Sequence, residues 1–255
     1  MSSANVASRA SLAVAGVLVA KSVRTFCYGF LGILLPLYLV DLGLDARGVG
    51  ISVTCTLAGS AALTWAVRRP AERLGGRAAL VGLAALSGLA AILLLTTSDP
   101  WVVVLAAMLG NVAVGTGETG PFLSVEQVVI ARAAAGARRT TLLSVYNLLG
   151  YAAAAVGAGI VGLPTPRVLF AVFFAAALVQ IGAYCLLPSA PAVKHTVAAG
   201  PGPSTRLIYK LAALFAVDSF AGGFVLQSLI VFYLHERLGL SRDALAQVFL
   251  VAQIL

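Results

Sequence analysis

Charge is what this chain has least of. Asp, Glu, Lys and Arg make up 10% of its 255 residues, where a soluble domain carries about a quarter. So little charge excludes an ordinary water-facing domain. Cysteine is scarce too: Cys27, Cys55 and Cys185 each sit inside an apolar segment. With no CxxC pair and no Cys/His cluster, neither a disulfide framework nor a zinc site is supported. The signatures of catalysis are also missing, with no HExxH, no GxSxG, no paired aspartates and no glycine-rich phosphate loop after a strand. The chain reads as a non-enzyme that needs no cofactor and no metal. Lysine is rare beside arginine, three against 14; with much alanine and glycine, that bias fits a GC-rich bacterial genome. A retinal protein would want a lysine midway along helix seven, and Lys210 falls at the inner end of that helix instead.

What the chain has is length without polarity. Hydrophobic residues make up 60% of it, broken into runs of membrane-spanning length, about 18 residues or more. An all-α integral membrane protein follows, with the lipid bilayer as its solvent. Helices are expected at about 12–40, 48–67, 78–97, 101–130, 142–163, 168–187 and 207–234, with an eighth beginning near Ala244. From there the remaining residues rise only ~18 Å at ~1.5 Å each, short of a ~30 Å hydrocarbon core, so the chain reads as a fragment with a truncated eighth helix. Arg9 followed by LAVAGVLVA faintly resembles a signal peptide. Lys21 closes that run without a small-residue cleavage site, so it reads as the retained start of helix one.

The net charge of +8 would suggest nucleic acid in a soluble chain; here the loops explain it, and no nucleic-acid partner is expected. Alternate loops, starting at the N-terminus, hold Arg9, Lys21 and Arg24, then Arg68, Arg69, Arg73 and Arg77, then Arg132, Arg138 and Arg139, then Lys194, Arg206 and Lys210. The other face holds Arg47, Arg167, Arg237 and Arg242 beside Asp41, Asp45, Asp99, Glu236 and Asp243. By the positive-inside rule the first set is cytoplasmic and the N-terminus lies inside, in the cell membrane, here a bacterial inner membrane. Residues 188–205, PSAPAVKHTVAAGPGPST, form a proline- and glycine-rich linker in which His195 reads as solvated. The linker separates a six-helix bundle (1–187) from the beginning of a second bundle (206–255). That second unit opens like the first. RTFCYGF (24–30) answers to DSFAGGF (218–224), aligning Phe26 with Phe220, Gly29 with Gly223 and Phe30 with Phe224, and Gly43-Leu44 answers to Gly239-Leu240. A helix recurring after roughly 195 residues is the mark of two parallel repeats.

The loop after helix two carries a local motif, RRPAERLGGR, in which Glu72, Arg73, Gly75 and Arg77 follow an acid–base–glycine–base order. Helix four continues as Gly115-Thr-Gly-Glu118-Thr-Gly120-Pro121, Arg138-Arg139 stand in the loop that follows, and Tyr146-Asn147 starts helix five. Together these features resemble the major facilitator superfamily of transporters. The pattern departs from the family's where Arg68 stands for an expected glycine, and where Asn111 precedes Gly115 with no arginine earlier in helix four. Gly150, Gly157, Gly159 and Gly162 in helix five are similar to the antiporters' glycine-rich motif, and equally suit close helix packing. The resemblance implies a six-helix bundle of the major facilitator type followed by helix seven and the start of helix eight. It further implies secondary transport of a small-molecule substrate by alternating access, commonly coupled to a proton. A non-transporting membrane remnant or receptor-like protein is the alternative.

Ionisable groups inside hydrocarbon need a reason. Arg24 lies 16 residues before Val40, Asp218 lies 16 before Leu234, and Glu118 lies 17 after Trp101. At ~1.5 Å per residue all three fall ~24–26 Å below the outer surface. The resemblance implies that helices one, four and seven line a central cavity. Arg24 is therefore expected to pair with Glu118, or with Asp218 across the two halves, and opening that pair would let a carboxylate take up a proton. Glu126, about 12 Å deeper by the same count, is expected at the cytoplasmic interface near Arg132. Gly115, Gly117, Gly120 and Pro121 form a helix-weakening run where bending is expected. Glu72, Arg73, Gly75 and Arg77 read as a latch on neighbouring helix ends, or simply as a positive-inside anchor.

Overall fold

The computed structural model describes residues 3–112, 120–134, 136–163, 165–188, 203–222 and 226–254. Among these residues every regular element is a helix. In order they are α1 (Ser3–Asp41), α2 (Ala46–Arg73), α3 (Gly76–Thr96), α4 (Pro100–Leu109), α5 (Pro121–Ala133), α6 (Gly136–Gly159), α7 (Pro166–Cys185), α8 (Pro203–Gly222), α9 (Gln227–Leu238) and α10 (Arg242–Ile254). Only a helix lets an apolar run satisfy its backbone without water. Among the described residues, six stretches are long and apolar enough to cross a membrane: Ser11–Asp41, Ala46–Arg73, Gly76–Thr96, Gly136–Gly159, Pro166–Cys185 and Thr205–Leu238.

Local chemistry sets the ends. The Asp45 carboxylate accepts from the Gly48 amide and starts α2, and the Asp99 carboxylate accepts from the amides of Trp101 and Val102 and starts α4. Proline occupies the first turn of α4, α5 and α7, where its missing N–H is not needed.

Helix four differs from expectation. The continuous helix expected over 101–130 is two helices: α4 stops at Leu109, Asn111 takes a left-handed φ of 49°, and α5 starts at Pro121 behind Gly120 at φ 123°. Helix seven, expected over 207–234, likewise divides into α8 and α9, with Leu226 extended ahead of α9. Glycine and proline in a helix interior lower its stability, and hydropathy does not register them.

Two apolar cores stack along the bundle. At the arginine-rich end, which holds the α2–α3 loop and the end of α7, Val17, Leu80, Phe122, Tyr146 and Tyr184 pack together. At the opposite end Phe30, Leu34, Phe170 and Phe173 form the other core, joined by Val231 of α9 and Phe249 of α10. Helix α1 runs through both and packs against α6 and α7. Outward-facing Trp65, Leu148, Tyr151 and Leu178 are exposed, as apolar side chains are where helices meet lipid.

Candidate functional site

Arg24, on α1, is completely buried, and it is the largest side chain so enclosed. A buried guanidinium is tolerable only when paired and hydrogen-bonded. Its partner is Glu126 of α5, also completely buried. Nη1 donates to Oε1 at 3.0 Å and Nη2 donates to Oε2 at 2.7 Å, a bidentate fork. The Tyr184 hydroxyl of α7 donates to Oε1 at 2.5 Å, and the Tyr146 hydroxyl of α6 donates to Oε2 at 2.6 Å. Nη1 of Arg24 also donates to the Tyr184 oxygen at 2.7 Å. Each carboxylate oxygen thus accepts two hydrogen bonds, and four helices close on one ion pair.

Helical spacing explains the assembly. Phe122 and Glu126 are four residues apart, on one face of α5. The ring therefore lies against the face of the guanidinium, 4.3 Å from Arg24 Cζ to its centroid, while the carboxylate takes the edge. Lys21, one turn before Arg24, sets its ammonium 4.5 Å from the Tyr146 ring centroid. Its stem crosses α6 at Gly150, where a Cβ would stand 2.5 Å from the Lys21 Cε. Gly150 is thus the corridor through which Lys21 reaches the site.

The structure redistributes the expected roles. Arg24 is buried inside the bundle, and the carboxylate beside it is Glu126, which was expected at the interface near Arg132. That expectation assumed an unbroken helix from Trp101. Because α4 ends at Leu109 and α5 begins at Pro121, the rise per residue does not carry across the break, and Glu126 comes up to the level of Arg24. Asp218 is exposed on α8 and makes no ion pair with Arg24. Glu118, Gly115 and Gly117 lie outside the described residues; Gly120 and Pro121 stand at the start of α5, where the helix breaks. In the α2–α3 loop Gly75 is buried at φ 89° and makes the turn. Glu72 pairs with Arg68 of its own helix at 3.1 Å, both side chains exposed, not with a neighbouring helix end. Arg73 is exposed and Arg77 half-buried. Tyr184 and the role of Tyr146 were missed. The available signal was a lone carboxylate inside an apolar stretch (Val125, Val128, Val129, Ile130), four residues from an aromatic.

A sequence model described as Major Facilitator Superfamily matches residues 17–255. An uncharacterized membrane protein of Saccharomyces cerevisiae is 25% identical over 140 residues, covering 55% of this chain and 31% of that protein. The chain thus spans about a third of the length of the curated relative it matches.

Proposed function

The chain belongs to the major facilitator superfamily, and from that premise we propose that it serves a secondary transporter which moves a small solute by alternating access, coupled to protons. Its first bundle is residues 1–187, its linker 188–205, and the opening of its second bundle 206–255. The N-terminus is cytoplasmic, in a bacterial inner membrane. The observation that carries the coupling is the buried Arg24–Glu126 pair with its two tyrosine donors. An ion pair enclosed in an apolar bundle can exchange between two arrangements: closed, with both charges satisfied, or open, with the carboxylate neutralised by a proton and the guanidinium turned elsewhere. A proton arriving at Glu126 would cancel the charge that holds α1, α5, α6 and α7 together at the arginine-rich end. Release of that proton would restore the fork. Glu118 and Asp218 remain candidates for a second carboxylate on the solute path.

The test is solute movement by the full-length protein in membrane vesicles under an imposed proton gradient, after an uptake and export screen has found a transported solute. Glu126→Gln is expected to abolish gradient-driven accumulation while keeping exchange of solute across the membrane. Glu118→Gln and Asp218→Asn report whether the second carboxylate is used. Gradient-driven transport with unchanged pH dependence in Glu126→Gln would remove the coupling role.

A further inference from the structure

The chain has two tryptophans, and they stand at opposite ends of the bundle: Trp65 near the end of α2, 72% exposed, and Trp101 in the first turn of α4, 54% exposed. Exposed indoles at the two ends of a membrane bundle mark the headgroup level. Arg69 follows Trp65 by one turn, with its Cζ 6.0 Å from the centre of the indole ring, within reach of a cation–π contact. The guanidinium is thus held about one turn beyond the indole, at the depth of the lipid phosphates.

The protein offers little negative charge to answer it. Between Trp65 and Ala79 the sequence holds four arginines and between Ala131 and Thr141 three, against a single acid, Glu72. Glu72 is held by Arg68 at 3.1 Å. Arg69 and Arg73, four residues apart on one face of α2, are both exposed. The α2–α3 turn lies on the last turns of α5, since a Cβ on Gly76 would stand 3.4 Å from Val125 Cγ1 and 3.6 Å from Val129 Cγ2. Arg132, also exposed, follows Val129 by three residues. The opposite end differs: Arg242 pairs there with Asp41, and Arg237 follows Glu236 in sequence.

We propose that Trp65, Arg69 and Arg73 bind the phosphodiester headgroup of an anionic phospholipid in the leaflet at the arginine-rich end, with Arg132 adding charge beside them. A guanidinium meets phosphate oxygens with two parallel donors, a geometry that lysine lacks. The indole rests on the glycerol and ester region of the same lipid. A zwitterionic headgroup brings its own ammonium, which the arginines repel, so the site selects a net negative lipid. The site needs no solute, and its failure leaves the transport reading untouched.

Tryptophan quenching in vesicles of the reconstituted full-length protein tests it. The Trp65 signal is the difference between the protein and its Trp65→Phe variant. The probes are phosphatidylglycerol brominated on its acyl chains in plain phosphatidylcholine, and brominated phosphatidylcholine in plain phosphatidylglycerol, at equal bromine content. Stronger quenching of Trp65 by brominated phosphatidylglycerol is expected, a preference that Arg69→Gln lowers about fivefold. Adding Arg73→Gln should lower it further, whereas Arg167→Gln at the opposite end should leave it alone. The preference is a ratio, so loss of folded protein cancels from it. Equal quenching by the two lipids overturns the proposal, and so does quenching by neither, which would mean that protein covers Trp65. A preference unchanged in the Arg69→Gln/Arg73→Gln variant, or lowered as much by Arg167→Gln, would reduce the effect to overall charge. Loss of the preference to inorganic phosphate at matched ionic strength would make free phosphate the ligand and also overturn it.

Discussion

Glu126 holds a carboxylate where water does not reach, and it does so because Arg24 and two tyrosines supply every hydrogen bond it can accept. Deleting one member of such a group leaves the rest buried and unpaired. Arg24→Met is therefore expected to destabilise the protein by about 3–5 kcal/mol, the usual cost of stranding a buried charge. The double variant Arg24→Met/Glu126→Leu should recover most of that loss, since no charge is left to satisfy. Denaturant titration in mild detergent micelles reads both; a double variant as unstable as the single would mean that packing, not charge, sets the cost. Tyr184→Phe and Tyr146→Phe should each cost about 1.5–3 kcal/mol, the range for hydrogen bonds to charged groups, and together less than the sum. Arg24 was legible in the sequence because a cation deep in an apolar helix demands a partner. Which carboxylate answers was not legible, because it depends on whether the helix between Trp101 and Glu126 is continuous. Asp218 looked as well placed by sequence alone, yet its helix exposes it.

At the scale of the element, α1 and α6 touch through their backbones. A Cβ on Gly29 would stand 2.1 Å from the Ala154 carbonyl oxygen, and one on Gly157 would stand 1.9 Å from that of Phe26. No side chain fits there, so the glycines of α6 have a packing reason of their own, the small-residue contact by which membrane helices approach closely. Gly157→Leu is expected to separate the two helices and cost at least the 1–3 kcal/mol typical of overpacking. Gly82→Ala on α3, where a Cβ meets nothing within 4 Å, should be neutral or stabilising by up to about 1 kcal/mol through helix propensity. Unfolding midpoints compare the two; similar loss in both would refute the seam. The order of the apolar stretches, though not the number of helices, was legible from run length, which is what the bilayer selects. Glycine spacing announced close packing without saying which helix would be the neighbour, since spacing names a face and not what lies on it. The breaks after Leu109 and before Gln227 were legible only as weak points, because whether such a run bends or parts is decided by the helices around it.

For the whole molecule, α9 and α10 meet α1 and α6 at the end away from the α2–α3 loop. There Asp41 of α1 pairs with Arg242 of α10, Ser228 of α9 bonds the Gly32 carbonyl, and Leu250 of α10 sits against Gly159 of α6. Helix α8 exposes Leu207, Ile208, Leu214 and Phe215, while the Arg24 cluster is buried among α1, α5, α6 and α7. If alternating access operates, the contacts around Asp41 and Arg242 are those that must part when solute enters from that side. The ion pair is partly exposed and worth no more than about 1 kcal/mol, weak enough to break in each cycle. Which side that is follows from the loop charges, and it can be read directly. With the native cysteines replaced, single cysteines at Arg73 and Arg139 should react with a membrane-impermeant thiol reagent only after cells are opened, and cysteines at Asp99 and Glu236 on intact cells. The arginines of the α2–α3 and α5–α6 loops can all lie inside only if α4 and α5 together carry the chain across once, although α4 alone rises only ~15 Å. Labelling of Asp99→Cys and Arg139→Cys from the same side would mean that the broken helix turns back within the bilayer, and the order of every later helix would invert with it.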